Sequence, residues 1–424
     1  MDEGMVAYLI HTFPIYSTTF ISNEVDELRR QGVKLKLFAV QPPGPTDYPQ
    51  EMRRFFDETT YIFPVSFLKM MVRHANAFFF KPVTYLKTLW GALTWGELST
   101  KDRVRTFYHF MEAIYFYPDL QASGCRKFHI HFLCGTASIA LFLRKLYGLR
   151  YSLTAHGTDI FVENVLLKEK ISNAEMTRVG TEYNRLYLSR LFPAHACPPI
   201  YAIPFGIETN KISCVVHKPP TGRLRLLHVG RLAWEKNQDL LMEACVWLHR
   251  DRTDFHLTII GEGPLRRELE KKRNTLGLTS IVTFRGALAQ DQVFDAYGEA
   301  DLFVLSSVTE GFGMVLVEAM AAGLPVIAPN LNGIPEIVDD GITGRLFQLG
   351  SVADLARVLR ELADDPDQRK RLGRMGLRKA MEHYQLSQTV ARFYETLRGN
   401  EEIKQSFPDS ETEARNAMRS PFGR

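Results

Sequence analysis

The stretch ADLFVLSSVTEGFGMVLVEAMAAGLPVIAP, from Ala300 to Pro329, contains a complete strand, loop, helix and strand. An aliphatic run at Leu302–Leu305 is followed by a glycine loop at Gly311–Gly313, a helix-forming segment and a second aliphatic run. Two apolar strands joined through a helix are typical of a parallel β-sheet covered by helices. We therefore predict a doubly wound α/β domain around this stretch.

Similar candidate strands recur along the whole chain. At 424 residues, the chain exceeds the size at which a single core stops growing. We therefore predict two doubly wound, Rossmann-like α/β domains that face each other across a cleft. The candidate strands of the N-terminal half are MVAYLI, VKLKLFAV, FHIHF, YSLTAHG, MTRVG and YAIPFG, and the others of the C-terminal half are LRLLHVG, FHLTIIG, IVTFRG and LPVIAP.

Composition also predicts the domain limits. The segment 206–222 contains Pro219, Pro220 and Gly222 and few large apolar residues, so it is expected to be a linker between domains at 1–205 and 223–384. A helix at 385–400, with Val390, Phe393, Tyr394 and Leu397 on one face, is expected to return to the N-terminal domain. The polar segment 401–424 is expected to be a disordered tail.

The composition excludes several classes of protein. Charged residues make up 24% and apolar residues 45% of the chain, which is ordinary for globular proteins, and no apolar run is long enough to span a bilayer. The N-terminus MDEGMVAYLI lacks the basic residues of a signal peptide, so we expect cytoplasmic residence. Without a CxxC pair, neither a disulfide framework nor a zinc site is indicated. We expect five buried thiols, at Cys125, Cys134, Cys197, Cys214 and Cys245.

Positive charge is concentrated in one part of the N-terminal half. Between Phe63 and Arg150, twelve Lys or Arg residues face four acids, a balance of +8, which favours an anionic partner. Within it, FLKMMVRHANAFFFKPVTYLKTLWGALTW, from Phe67 to Trp95, alternates basic and aromatic residues. This segment could lie on an anionic membrane, where each cation contributes about 1 kcal/mol. It could equally form core helices with solvated basic faces, and the sequence leaves both readings open.

The glycine loop at Glu310–Gly311–Phe312–Gly313–Met314 has the pattern of an anion site. Glycines let the backbone approach a phosphate, and the first N–H groups of the following helix point towards it. Glu318 lies about one turn into that helix, where a carboxylate can accept hydrogen bonds from ribose hydroxyls, as in Rossmann domains. A plain glycine turn beside a surface Glu is the alternative.

Two further glycine-containing loops follow predicted strands. The loop after LRLLHV contains Gly230, Arg231 and Lys236, and the loop after FHLTII contains Gly261 and Gly263. Ligands of open α/β sheets bind outside the carboxyl ends of the strands, where two cations can bracket a diphosphate. Two solvated cations and an ordinary turn are the alternatives.

Together, Gly-Arg-x₄-Lys, Gly-x-Gly-Pro and Glu-x₇-Glu, in this order, resemble the retaining glycosyltransferase family 4, which has the two-domain GT-B fold. The resemblance implies that the C-terminal domain binds a nucleotide-diphosphate sugar and the N-terminal domain binds the acceptor. Arg231 and Lys236 would hold the diphosphate, Glu318 the ribose, and Glu310 with the loop backbone the sugar and phosphates. Arg285 and Gly286 would line the base pocket.

The resemblance also assigns residues of the N-terminal half. His156, in the run His156-Gly157-Thr158-Asp159, matches a family histidine that lies against the transferred sugar, and His131 and Asp159 are expected on the acceptor side. FPIYSTTFISNEV and HIHF, at 129–132, resemble the subgroup of colanic-acid and exopolysaccharide enzymes.

The expected reaction is transfer of a hexose, with UDP as the default nucleotide, to a glycan or lipid-linked glycan with retention of configuration. Glycosidases also use two carboxylates, but they need no diphosphate site. Metal-dependent transferases carry a strand-end Asp-x-Asp, whereas Asp365-Pro366-Asp367 lies between helical patterns. We therefore expect no metal or other cofactor, and no nucleic-acid partner. A nucleotide-sugar epimerase and an inactive scaffold protein are the alternatives.

Overall fold

The computed structural model describes residues 5–15, 18–44, 50–96, 98–125, 127–162, 165–193, 196–213, 215, 217 and 222–399. The chain divides into a first unit, Met1–Ile203 with Val390–Arg424, and a second unit, Pro204–Thr389. Each unit contains its own parallel sheet with flanking helices, which confirms the predicted pair of doubly wound α/β domains.

The sheet of the first unit has seven strands in the order β3-β2-β1-β4-β5-β6-β7, and every neighbouring pair is parallel. The strands are β1 (Val6–Thr12), β2 (Leu35–Gln41), β3 (Thr59–Tyr61), β4 (Lys127–His131), β5 (Arg150–Thr154), β6 (Thr177–Val179) and β7 (Ile200–Ala202). The helices are α1 (Thr19–Arg30), α2 (Gln50–Glu58), α3 (Phe67–Phe80), α4 (Pro82–Thr94), α5 (Thr100–Ala122), α6 (Gly135–Tyr147), α7 (Gly157–Phe161), α8 (Leu167–Ser172) and α9 (Glu182–Ser189).

The sheet of the second unit has six parallel strands in the order β10-β9-β8-β11-β12-β13. The strands are β8 (Leu224–Val229), β9 (Phe255–Ile260), β10 (Val282–Gly286), β11 (Leu302–Val304), β12 (Val326–Pro329) and β13 (Arg345–Phe347). The helices are α10 (Thr209–Ser213), α11 (Gln238–Asp251), α12 (Arg266–Thr275), α13 (Gln290–Glu299), α14 (Met314–Ala321), α15 (Ile334–Ile337), α16 (Val352–Asp364) and α17 (Pro366–His383), and α18 (Leu386–Arg398) follows.

Both sheets contain a point where the chain reverses its direction across the sheet. In the first unit it lies between β1 and β4, and in the second unit between β8 and β11. Loops leaving neighbouring strands diverge there and create a crevice at the carboxyl ends, which is where open α/β sheets bind ligands. The loops after β8 and β11 carry the predicted Arg231, Lys236 and Glu310.

The segment 206–222 differs from the predicted linker in its described part. Ile207 and Ile212 are buried, α10 forms, and both side chains pack in the core of the second unit. Ile207 also pairs with Gln385 in a parallel bridge. The prolines that indicated a linker, Pro219 and Pro220, lie outside the described residues.

The edge strands β3 and β13 were absent from the prediction. Each has only three residues. Helix α18 agrees with the predicted helix at 385–400, and from Val390 onward it belongs to the first unit. The predicted tail at 401–424 lies outside the described residues.

The cysteine prediction was only partly right. Cys125 and Cys245 are buried, but Cys134 and Cys197 are partly exposed; all four are free thiols, and Cys214 lies outside the described residues. Among the helices that the structure describes, none combines the length and the apolar character needed to cross a membrane.

Candidate functional site

The loop after β8 carries the two predicted cations in different environments. Arg231 is exposed, with 64% of its side chain accessible, and its guanidinium lies 3.2 Å from the carboxylate of Glu235. Lys236 ends a short 3-10 helix, Trp234–Lys236, and Asn237 then adopts a left-handed conformation before α11 begins. The turn therefore leaves the Arg231 side chain in solvent and holds the Lys236 side chain against the protein.

Lys236 forms an ion pair with Glu310. Its Nζ lies 2.6 Å from Oε2 of Glu310, and the two side chains are only 20% and 13% exposed. The hydroxyl of Ser307 donates to the same oxygen at 3.3 Å, and that of Ser306 donates to the carbonyl of Lys236 at 2.8 Å. The loops after β8 and β11 are thus joined, and a phosphate arriving here would compete with Glu310 for the Lys236 ammonium.

The glycine loop positions the start of α14. Gly313 has a φ of 86° and precedes Met314, the first residue of the helix, which has no side-chain cap at its N-terminus. The Phe312 side chain is buried and packs edge-on against Phe205 and Tyr384 at 5.3 and 5.7 Å between ring centroids. Phe312 therefore anchors the loop in the core, which leaves backbone N–H groups to face an anion.

Glu318 lies one turn into α14 and accepts a hydrogen bond from Tyr297. The Tyr297 hydroxyl is 2.9 Å from Oε2 of Glu318. Burial raises the pKa of Glu318 to about 7, and the hydrogen bond from Tyr297 only partly opposes this shift. Tyr297 was missed in the sequence because nothing in α13 marks it as a partner of a carboxylate on another helix.

Gly261 and Gly263 pack against the Arg231 loop. A Cβ at Gly261, where φ is 137°, would overlap the carbonyl oxygen of Gly230, and one at Gly263 would overlap that of Leu232. Backbone hydrogen bonds join the same loops, including one of 2.9 Å from the Leu232 N–H to Glu262. These glycines have a demonstrable structural role, whereas their predicted donor contact stays a prediction.

The predicted base-pocket residues lie at the end of β10. Gly286 has a φ of 78° at a shift of register with β9, and its carbonyl accepts a 2.8 Å hydrogen bond from Gly261. Arg285 is exposed and pairs with Glu299 at 3.1 Å. The backbone links β10 to the glycine turns, while the base contact of Arg285 stays a prediction.

In the first unit, Asp159 differs from its predicted acceptor-side role. It is fully buried, and its carboxylate accepts hydrogen bonds from the backbone N–H groups of Leu133 and, at 2.7 Å, of His156. Burial raises the pKa of Asp159 to about 7 against the effect of these bonds. Asp159 therefore fixes the backbone at His156 and the loop after β4, and it presents no surface to an acceptor.

His156 belongs to a chain of side chains that begins at Glu24. Nε2 of His131 lies 3.0 Å from Oε1 of Glu24, and Nδ1 of His131 lies 3.4 Å from Nε2 of His156. The Glu24 carboxylate accepts from Nε2 of His131, so the other ring nitrogen of His131 is the one that faces His156. The buried carboxylate is thus linked to His156 through the ring of His131.

Burial lowers the pKa of His156 well below its ordinary value, and the neighbouring His131 and Arg178 add to the shift. His156 is therefore neutral near pH 7. His131 is fully buried, so its predicted acceptor-side position is also corrected. The hydrogen bonds of His131 instead hold the His156 ring in a fixed orientation.

Glu24 lies at the centre of a buried polar network. It accepts hydrogen bonds from the Tyr8 hydroxyl at 2.9 Å and from Arg178 at 2.6 Å. Burial opposes ionisation, but Arg178 and His131 outweigh it and hold the pKa of Glu24 well below its usual range. The ring of Phe393, on α18, lies 4.5 Å from the Arg178 guanidinium. Glu24 was not predicted from the sequence as a site residue, and the only sequence signal for it is its position on the buried face of α1.

The same network brings together potential metal ligands. Atoms of Glu24, His129 and His131 lie within 4.8 Å of one another. However, Arg178 already pairs with Glu24, and both ring nitrogens of His129 lie 2.9 Å from the hydroxyls of Ser152 and Thr154. A divalent cation would have to displace a buried guanidinium, so the donor set fits hydrogen bonding better than metal binding.

The Asp365-Pro366-Asp367 run is a helix boundary. Oδ1 of Asp365 accepts a 2.8 Å hydrogen bond from the Gln368 N–H, and Pro366 is the first residue of α17. The side chain of Asp367 is 95% exposed. This geometry is that of an N-cap, as the sequence indicated.

Comparison with known proteins agrees with this architecture. Residues 213–379 match the family model "Glycosyl transferases group 1". The chain is 37% identical over 170 residues to a D-inositol 3-phosphate glycosyltransferase of Streptomyces avermitilis, over 38% of this chain and 37% of the relative. The chain thus spans well under half the length of the first curated relatives that it matches.

Longer alignments cover both units. A putative colanic acid biosynthesis glycosyltransferase, WcaL of Salmonella typhimurium, is 26% identical over 375 residues, 84% of this chain and 90% of the relative. The crystal structure of Anabaena HepE with UDP-glucose superposes with a TM-score of 0.69 at 15% identity, over 93% of this chain and 100% of that structure. Residues 213–379 therefore carry a group 1 glycosyltransferase domain, and the likeness to the solved structures shows a GT-B fold for the chain.

Proposed function

We propose that the protein transfers a hexose from a nucleotide-diphosphate sugar to a glycan or lipid-linked glycan, in exopolysaccharide or lipopolysaccharide assembly. The observation that carries the proposal is the Lys236–Glu310 pair beside the start of α14, with Glu318 one turn further on. Cations, helix N–H groups and a ribose acceptor at this spacing suit a nucleoside diphosphate. The colanic acid relative supports the proposed pathway class.

We further propose that UDP is the nucleotide, that the anomeric configuration is retained and that no metal is needed. The HepE complex with UDP-glucose supports the choice of nucleotide. Arg231, Lys236 and the N-terminus of α14 would stabilise the charge that develops on the leaving diphosphate, in place of a divalent cation. His156, neutral and oriented through His131, would bind beside the transferred sugar.

A thermal-shift screen against nucleotide sugars, followed by product analysis, tests the proposal. A donor at 100 times its dissociation constant adds about 2.7 kcal/mol of stability. With the stabilising donor and a glycan acceptor, we expect a new glycosidic bond whose ¹H coupling constant matches the anomer of the donor. A new nucleotide sugar formed without acceptor would indicate an epimerase, and an inverted product would refute retention.

Metal independence is tested by chelation. Turnover should persist in saturating EDTA, since the proposed charge compensation comes from side chains and backbone. Loss of activity in EDTA with recovery on adding magnesium or manganese would show that Arg231 and Lys236 do not replace a metal ion.

A further inference from the structure

The first unit exposes an unusual number of large hydrophobic side chains in one segment. Fourteen of the nineteen exposed large hydrophobics among the described residues lie between Phe67 and Tyr108, in α3, α4 and the start of α5. Soluble proteins rarely leave such a dense apolar surface in water without using it to bind something. Helices α3 and α4 do pack on the core of the first unit, through Ala77, Ala92 and the partly buried Met70, Tyr85 and Leu89. Their outward faces, however, are apolar as well as basic.

The exposed residues recur at helical spacing. On α4, Val83, Leu86, Trp90 and Leu93 follow one another by three or four residues, and they are between 40% and 70% exposed. The tip of the α3–α4 hairpin ends in Phe79 and Phe80, which are 79% and 77% exposed. We call the exposed apolar face of α3 and α4, with this tip, the hairpin face.

The charges carried by α3 and α4 themselves have one sign. Residues 59–96 contain Lys69, Arg73, Lys81 and Lys87 and no Asp or Glu. Arg73 pairs with Asp119 at 2.7 Å, and Lys81 lies over the ring of Tyr147 and donates to the Leu146 carbonyl. Lys69 and Lys87 are exposed without a side-chain partner in the described part of the chain.

We propose that the hairpin face docks on a membrane containing anionic lipids, with the Phe79–Phe80 tip inserted among the acyl chains and Lys69 and Lys87 at the headgroups. Apolar and aromatic side chains flanked by lysines suit the interface of an anionic bilayer. A symmetric contact with a second copy would instead place the same lysines against each other with no acid to compensate. The proposal is independent of the reaction that the protein catalyses.

Sedimentation of the full chain with vesicles tests the proposal without donor or acceptor, so a negative result leaves glycosyl transfer untouched. We expect stronger binding to phosphatidylcholine with phosphatidylglycerol than to phosphatidylcholine alone. The double variant Phe79→Ser/Phe80→Ser should bind at least about tenfold more weakly, because burying each Phe is worth a factor of this order. Ile342→Ser, which changes a 55% exposed residue of the second unit, should bind normally.

Two further experiments test the contribution of the lysines and the depth of insertion of the hairpin face. Lys69→Glu/Lys87→Glu should abolish the preference for anionic vesicles. Trp90 emission should shift to the blue on binding in a Trp95→Phe/Trp234→Phe/Trp247→Phe background, in which Trp90 is the one tryptophan left. Equal binding of wild type and Phe79→Ser/Phe80→Ser, or equal binding to both vesicle types, would overturn the proposal. A wild-type dimer that persists with vesicles and dissociates in Phe79→Ser/Phe80→Ser would instead assign the face to a second copy.

Discussion

The candidate site residues of the two units are held in opposite ways. In the second unit, Arg231 and the Lys236–Glu310 pair lie in loops, and Arg231 is largely exposed. In the first unit, His131, Asp159 and Glu24 are buried and hydrogen-bonded on several sides. The arrangement in the second unit leaves charges available to a ligand. In the first unit, buried charges instead set the orientation of His156.

The largest expected effect is on the stability of the buried network. Arg178→Met leaves the Glu24 carboxylate buried without its guanidinium partner, and breaking such a pair costs about 3–5 kcal/mol. Urea denaturation measures the change. Arg285→Met, which removes an ion pair between side chains 38% and 40% exposed, should cost less than about 1 kcal/mol. Similar losses in the two variants would contradict the contrast between the units.

The next effect is on turnover in the second unit. Arg231→Ala and Lys236→Ala each remove charge-assisted hydrogen bonds from the proposed leaving group, a loss of about 2–4 kcal/mol in the transition state. Turnover should fall roughly 30- to 1,000-fold. Arg360→Ala, which removes a cation of α16 that pairs with Asp251, should leave the rate unchanged. Near-normal rates in both loop variants would remove these residues from the mechanism.

The residues changed in these two experiments differ in how far the sequence could predict them. The strand-end motifs of the second unit are local, so Gly230, Arg231, Lys236, Glu310 and Glu318 could be named from a short stretch each. The network around His156 joins Tyr8, Glu24, His131, Arg178 and Phe393. Those residues are far apart in sequence, and only the strand order β1-β4-β5-β6 brings them together.

Burial explains the predictions that failed. The resemblance placed Asp159 on the acceptor side with His156, but a carboxylate at the third position of a helix can also accept the N–H of the N-cap residue, as Asp159 does here at 2.7 Å. The linker prediction failed for a related reason. Ile207 and Ile212 are isolated apolar residues in sequence, and their burial depends on the rest of the second unit.

A smaller effect is expected on the pH dependence of donor binding. The ionised form of Glu318 is the better acceptor for ribose hydroxyls, and its pKa is about 7. Donor affinity should therefore weaken as the pH falls below 7, by up to about tenfold per pH unit. Tyr297→Phe removes the hydrogen bond that lowers this pKa, so its transition should move to higher pH. Titration calorimetry from pH 5 to 9 measures both profiles, and a flat profile would contradict the role of Glu318.

The smallest effect distinguishes the two cations of one loop. Arg231→Ala should change stability by no more than about 0.5 kcal/mol because the side chain is exposed. Lys236→Ala should cost more, about 1–2 kcal/mol, since it removes the partner of the partly buried Glu310. Thermal melts of both variants measure the two losses of stability. A larger loss for Arg231→Ala than for Lys236→Ala would contradict the different environments of the two cations.

The central claim is that the second unit binds a nucleoside diphosphate through Arg231, Lys236, the start of α14 and Glu318. Calorimetric titration of UDP in EDTA, with wild type, Lys236→Ala and Glu318→Ala, tests it most directly. We expect metal-free binding by the wild type and at least about tenfold weaker binding by each variant. Undiminished UDP binding by both variants, at unchanged melting temperature, would place the nucleotide elsewhere and contradict the claim.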